Sequence, residues 1–295
     1  MNPTQDWLQL TIAAGSFNPE QLEDALLAVG ALAVTYQDGG DQPVLEPAPG
    51  TTPLWSNVRV TGLFAAGGDR ARIAEQLRRI LDESIALNWD TLEDREWTRA
   101  WLDDYHPMRF GNRLWVCPHG HQVADADAVI VHLDPGLAFG TGTHPSTALC
   151  LSWLDGADLV GKRVVDYGCG SGILAIAAAK LGADRVYAVD IDPQALQAST
   201  DNAMANGVAD RIAVSPPETL LDRSADVVIA NILANPLIEL APRLTALLDT
   251  PGWIVLAGLL SHQAQSVRTA FTPRFTFAEP GQREDWVLLH GTRRG

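Results

Sequence analysis

The stretch from Val164 to Asp192 constrains this chain most. Val164-Val165 is a short apolar pair, Asp166-Tyr167-Gly168-Cys169-Gly170-Ser171-Gly172 is a glycine run, and Ile173 to Leu181 is rich in Ala and Leu with no breaker. Val186-Tyr187-Ala188-Val189 follows, and Asp190 ends it. This order predicts strand, tight turn, helix and second strand. In such a unit the bare turn lets backbone meet a ligand, and the acid grips ribose hydroxyls. A site for a nucleoside-containing ligand is expected, the alternative being a plain tight turn in an α/β sheet.

Spacing separates the ligand classes. The dinucleotide fingerprint places glycine at the first, third and sixth positions, the last for helix–strand packing. Here the sixth is Ile173, and the glycines fall at 168, 170 and 172. Gly-x-Gly-x-Gly after a strand ending in an acid is similar to the first motif of methyltransferases that use S-adenosylmethionine (SAM). That ligand has no pyrophosphate and needs an acid near the start, Asp166, and one after the second strand, Asp190.

Strands and helices alternate beyond Asp190, with a helix from Pro193 to Asn206, strands at Ile212-Ala213-Val214 and Ala225 to Ala230, and a helix from Leu237 to Leu248. A strand from Gly252 to Ala257, a helix from His262 to Phe271 and strands at Arg274 to Ala278 and Asp285 to Leu289 complete the pattern. Such alternation implies a mostly parallel sheet covered on both faces, closed by an antiparallel pair at one edge. Before residue 94 the pattern differs. Strands at Trp7 to Ile12, Ala31 to Tyr36, Val58 to Phe64 and Leu87 to Leu92 enclose two helices in the order β-α-β-β-α-β. One helix opens on Asn18-Pro19 with Leu22, Leu26 and Leu27 as its stripe; the other opens on Asp69 with Ile73, Leu77, Ile80 and Leu81. That order is a ferredoxin-like sandwich, with two helices over one sheet face.

Composition narrows the partners. A formal charge of -15 argues against a broad phosphate-binding surface and against stable nucleic-acid binding. Residues 1–95 carry 14 acids against 6 arginines, the densest acidity in the chain, which suits a basic partner or serves solubility alone. Three cysteines, Cys117, Cys150 and Cys169, without a Cys-x-x-Cys, suggest neither a disulfide framework nor a metal site, and fit a reducing cytoplasm. The start lacks a signal-peptide pattern, and the apolar run from Trp253 to Leu260 is far too short to span a membrane.

Three further stretches carry possible chemistry. Trp97, Trp101 and Tyr105 would form an aromatic stripe on a helix, suited to packing between domains or to substrate stacking. The segment from Asp134 to Thr147 holds three glycines in seven residues but no lysine after the last, which excludes a phosphate loop. It suits a loop that folds over a small polar ligand, with Thr147 among its donors. Within it, Phe139 either faces a substrate ammonium or packs in the core, and His144 before Pro145 either acts on substrate or caps the following helix. Asn231-Ile232-Leu233-Ala234 follows a strand at the carboxyl end where open α/β sheets bind ligands. Its Asn oxygen can accept a hydrogen bond from an attacking amine and aim the nitrogen lone pair, or simply make a turn.

Taken together, the connector from Trp97 to Pro118, the run Asp134 to Pro145, the glycine turn 166–172, Asp190-Ile191-Asp192-Pro193 and Asn231 to Ala234 resemble the PrmA family, the methyltransferases of ribosomal protein L11. The resemblance covers nearly the whole chain. It implies a ferredoxin-like recognition domain at 1–93, a connector with a helix at 94–118, and a class I SAM-dependent methyltransferase domain at 119–295, Rossmann-like with a mostly parallel seven-stranded sheet. It implies a cytoplasmic enzyme that methylates lysine side chains and the N-terminal amine of that protein. Cofactor-binding positions carried over are Thr147, Gly168, Asp190 and Asn231, beside Asp166, Gly170 and Gly172 from the turn itself. The competing readings are a methyltransferase of nucleic acid or a small molecule, a nicotinamide-dependent oxidoreductase, opposed by Ile173, and a SAM-binding module without catalysis.

Overall fold

Three of the best-marked helices start directly after a short polar side chain that caps them. In the computed structural model, which describes residues 6–42, 44–45, 50–92, 105–134, 140–220 and 224–294, Asn18 Oδ1 accepts from Glu20 N at 3.1 Å and Asp69 Oδ1 from Ala71 N at 3.0 Å. Asp192 Oδ1 accepts from Gln194 N at 2.8 Å. Such caps satisfy backbone donors that the first turn leaves free and contribute about 1 kcal/mol each. The chain divides into two compact units, Met1–Ala100 and Trp101–Gly295.

The first unit contains β1 (Trp7–Ala13), α1 (Pro19–Ala28), β2 (Ala33–Asp38), β3 (Val58–Ala65), α2 (Arg70–Ile80) and β4 (Asn88–Leu92). Its antiparallel sheet has the order β2-β3-β1-β4, the ferredoxin-like arrangement. Leu8, Leu10 and Ile12 point from β1 into a core with Leu22, Leu26, Val60, Phe64 and Leu77. Leu10, Ile12, Leu22, Leu26 and Leu77 are wholly buried, each worth roughly 1.5–3 kcal/mol relative to exposure. The helix stripes are narrower than expected. Leu27 and Ile80 stand about half exposed, at 47% and 53%, while Ala25 takes the inward place on α1.

The second unit begins with a three-stranded sheet of β5 (Met108–Phe110), β6 (Leu114–Cys117) and β7 (Val129–His132). There follow α3 (Pro145–Gly156), β8 (Arg163–Tyr167), α4 (Ile173–Lys180), β9 (Arg185–Val189), α5 (Pro193–Ala205), β10 (Ile212–Ser215) and β11 (Ala225–Asn231). Then come α6 (Ala234–Glu239), α7 (Ala241–Ala246), β12 (Leu248–Leu260), α8 (Ala264–Phe271), β13 (Phe275–Phe277), β14 (Gly281–Arg283) and β15 (Trp286–Arg293). The main sheet runs β10-β9-β8-β11-β12-β15-β13, with β14 added on β15 as an eighth strand beyond the expected seven. Strands from β10 to β12 are parallel; β15 pairs antiparallel with β12 and β13.

Alternate residues feed two cores. Val164, Val186, Val227 and Ile229 face one side with Ile173 to Ala179 of α4, whereas Val165, Val189, Val228 and Ala230 face the other with Leu237, Leu244 and Val267. The single helix expected from Leu237 to Leu248 is two short ones that meet at Leu240. Pro242, at the start of the second, lacks the N–H that a continuous helix needs and disfavours it there. The three cysteines are buried free thiols. Among the described residues, no helix is long and apolar enough to cross a membrane.

Candidate functional site

The strand order reverses beside β8. From it the chain moves through β9 to β10 on one side and through β11 to β12 on the other. Such a switch point opens a crevice at the carboxyl ends of the strands, where open α/β sheets bind ligands. The ends of β9, β8 and β11 bring Asp190, Gly168 and Asn231 to it.

Backbone geometry accounts for the glycine spacing. Gly168, Gly170 and Gly172 all have positive φ, at 82°, 54° and 78°, which costs any other L-residue roughly 1–2 kcal/mol. Space is equally restrictive at two of them. A Cβ on Gly168 would lie 2.4 Å from Ile232 Cγ2, and one on Gly172 would lie 2.9 Å from Ser199 Oγ. The turn is also held from outside. Gly168 N and Cys169 N both donate to Val189 O, Ser199 Oγ donates to Gly170 O at 2.9 Å, and Asn202 Nδ2 donates to Ser171 O at 2.8 Å. A rigid, bare backbone surface results.

The two acids occupy different environments. Asp190 is half-buried, with Oδ2 accepting from Gly170 N and Oδ1 from Asp192 N, each at 3.0 Å. Each oxygen retains a lone pair for a further donor. Asp166 is 1% exposed, and Oδ2 accepts from Ala175 N at 3.0 Å while buried Oδ1 has no partner. Burial lifts its carboxyl pKa to about 7, against the Ala175 bond and with help from Asp190. In the structure Asp166 braces the first turn of α4 beneath the glycine run.

The second motif meets the first. Ser171 Oγ donates to Gly140 O at 2.6 Å, tying the middle of the 134–147 stretch to the glycine turn. Asn231 Nδ2 donates to Thr147 Oγ1 at 3.2 Å, and Thr147 is buried. Asn231 Oδ1 is then buried with no partner. An unpaired buried acceptor costs about 1–3 kcal/mol, a cost that a bound donor would remove. His144 is the N-cap of α3, with Nδ1 accepting from Ser146 N, and its ring meets Trp286 edge-on at 4.4 Å. Burial holds its pKa below 6.5, opposed by Glu284. Phe139, Trp97 and Trp101 lie outside the described residues. Tyr105 is buried, and its hydroxyl donates to Thr141 O.

Sequence reasoning passed over Ile191, Ile232 and Gly258. Ile191 is 85% exposed directly after Asp190, an apolar surface at the crevice mouth. Ile232 is wedged between two glycines, since a Cβ on Gly258 would lie 2.4 Å from Ile232 O. A glycine within the apolar run of β12 was the available signal, because an isolated strand glycine marks close backbone approach. A cavity of about 480 Å³ lined by Trp153, Trp253 and His290 shares none of these residues. Among the described residues, no group of His, Cys, Asp and Glu could hold a metal ion.

The sequence profile of the family described as "Ribosomal protein L11 methyltransferase (PrmA)" matches residues 6–294. The chain belongs to this family. It is 52% identical to a ribosomal protein L11 methyltransferase of Marinobacter nauticus, over 98% of this chain and 99% of that one. It is 53% identical to one from Methylococcus capsulatus over the same shares. A crystal structure of a ribosomal protein L11 methylase from Lactobacillus delbrueckii subsp. bulgaricus superposes with a TM-score of 0.60 at 34% identity. That match covers 65% of this chain and all of the other.

Proposed function

We propose that this chain transfers methyl groups from SAM to amino groups of ribosomal protein L11, lysine side chains and the N-terminal amine among them. The observation that carries the reading is Asn231, held by Thr147 with its carboxamide oxygen buried and unpaired at a sheet switch point. Full-length identity of about half to proteins named for this activity supports the substrate.

The residues present fit the donor. The bare backbone of Gly168 to Gly172 accommodates close approach, Asp190 offers two acceptor oxygens for ribose hydroxyls, and exposed Ile191 offers apolar surface for a base. When bound, SAM supplies an activated methyl group on a sulfonium sulfur. The protein must then present a neutral nitrogen. A lysine amine titrates near ~10.4 and is mostly charged at neutral pH. Desolvation in the crevice favours the uncharged form. Asn231 Oδ1 accepts one N–H of that amine and aims its lone pair, which is a positioning task and needs no catalytic triad. Asp166, under the turn, supports the cradle from below.

The first unit, by its ferredoxin-like build and its acidic composition, is assigned to recognition of the basic protein substrate. The cytoplasm, where ribosomal proteins meet their modifying enzymes, is the proposed location. The test is incubation of the protein with methyl-labelled SAM and a ribosomal-protein extract. Label on L11 supports the reading; label confined to RNA or to no macromolecule overturns it.

A further inference from the structure

The first unit's sheet has two edges, β2 and β4, and they are guarded to different extents. Across β4, Arg70 Cζ lies 5.7 Å over the Trp89 ring, and Nη2 donates to Thr91 Oγ1 at 2.9 Å. A charged side chain laid on an edge strand opposes pairing with another chain. On β2 only the last outward carbonyl is covered, since Arg59 of β3 reaches across to donate to Asp38 O at 2.9 Å, and nothing comparable lies on Val34 or Tyr36 among the described residues. Its sequence, Ala33-Val34-Thr35-Tyr36-Gln37-Asp38, contains no Lys, Arg or Pro, and its register with β3 runs without a bulge.

The phase of that ladder shows which groups are free. Ala33, Thr35 and Gln37 stand opposite Leu63, Thr61 and Arg59, and Gly39 N donates to Asn57 O at 2.6 Å in the same phase. In an antiparallel pair alternate residues bond to the partner, so the N–H and C=O groups of Val34 and Tyr36 point away from β3. Among the described residues no strand meets them, because β2 ends the sheet order. Acids outnumber the one cation, Arg59, at this edge. Glu20, Glu23 and Asp24 of α1 all act on Tyr36, whose hydroxyl donates to Glu23, and Asp38 closes the strand.

We propose that the β2 edge is the docking strand for an extended, lysine-rich segment of the protein substrate, which joins the sheet as a fifth strand. Main-chain bonds to Val34 and Tyr36 supply affinity, and the carboxylates of α1 select a basic partner over a neutral or acidic one. The inference rests on the protein-substrate reading above and assigns a surface to it.

Two variants test it, with purified ribosomal protein L11 as substrate and SAM affinity measured by calorimetry. Val34→Pro deletes an outward N–H without removing a bond to β3. Glu20→Lys with Asp24→Lys reverses two exposed charges on α1. Each is expected to raise KM for L11 about tenfold with kcat and SAM affinity unchanged, the loss expected for one or two hydrogen bonds or charge contacts. Circular dichroism checks folding. If Val34→Pro fails to fold, the charge-reversed protein decides alone. A folded variant with the wild-type KM overturns the docking strand while leaving the methyltransferase reading intact. A wild type that transfers no methyl to L11 overturns the reading on which it rests.

Discussion

Replacing Gly168 by alanine separates two costs that the site combines. At φ 82° the alanine backbone sits in the left-handed region, at roughly 1–2 kcal/mol. Its Cβ would also lie 2.4 Å from Ile232 Cγ2, where carbon atoms normally rest about 3.5–4.0 Å apart. Overpacking of that kind costs about 1–3 kcal/mol. The sum, about 2–5 kcal/mol, is a large part of a typical folding free energy. Ile232→Ala removes the offending methyl, so the double variant regains the steric share and keeps the backbone share. Guanidinium unfolding of the four proteins of this cycle measures the coupling, expected at about 1–3 kcal/mol in the favourable direction. SAM calorimetry on the same proteins is expected to show weakened binding for Gly168→Ala and partial recovery in the double variant. Additive effects, with coupling near zero, would refute the claim that Ile232 closes on the glycine turn.

Asn231→Ala is expected to lower kcat, measured at saturating SAM and L11, by roughly tenfold to a hundredfold through lost orientation of the amine; unchanged turnover at saturating substrates would remove Asn231 from the mechanism. Asp190→Ala is expected to raise the Kd for SAM by about tenfold or more, since it removes charge-assisted bonds, which calorimetry reads directly. Asp166 has a folded pKa of about 7, above its unfolded value of 3.8, so the native state binds its proton more tightly. Its contribution is complete at pH below the unfolded value and is lost as pH rises through about 7, on the order of a few kcal/mol. Urea titrations across that window should show the decline in the wild type and a flatter profile in Asp166→Asn. His144→Ala should cost about 1 kcal/mol as a lost cap and His144→Asn should recover most of it; thermal melts of both distinguish a cap from a residue needed only for turnover.

Much of this architecture was legible because it rests on local rules. Asn18, Asp69 and Asp192 cap helices where their positions before proline or an apolar stripe predict. The glycine run was readable because each of its three glycines meets a backbone demand that no other residue satisfies cheaply. Longer-range facts were hidden. Nothing in the spacing of Asn231 and Thr147, 84 residues apart, announces their hydrogen bond, because that contact depends on how α3 crosses the sheet. Leu27 and Ile80 fit the helical period yet face outward, since periodicity marks a face without saying how wide the packed stripe is. Pro242 was visible, but the apolar residues on both sides of it suggested one helix where the chain makes two. The wedge of Ile232 between Gly168 and Gly258 required coordinates, because three segments meet there.

Intact-mass measurement of ribosomal protein L11 after incubation with the wild-type protein and SAM tests the central claim most directly. The expected result is a series of methyl-sized mass increments that depends on SAM and slows sharply with Asn231→Ala. Unmodified L11 in the presence of a protein that binds SAM would contradict it.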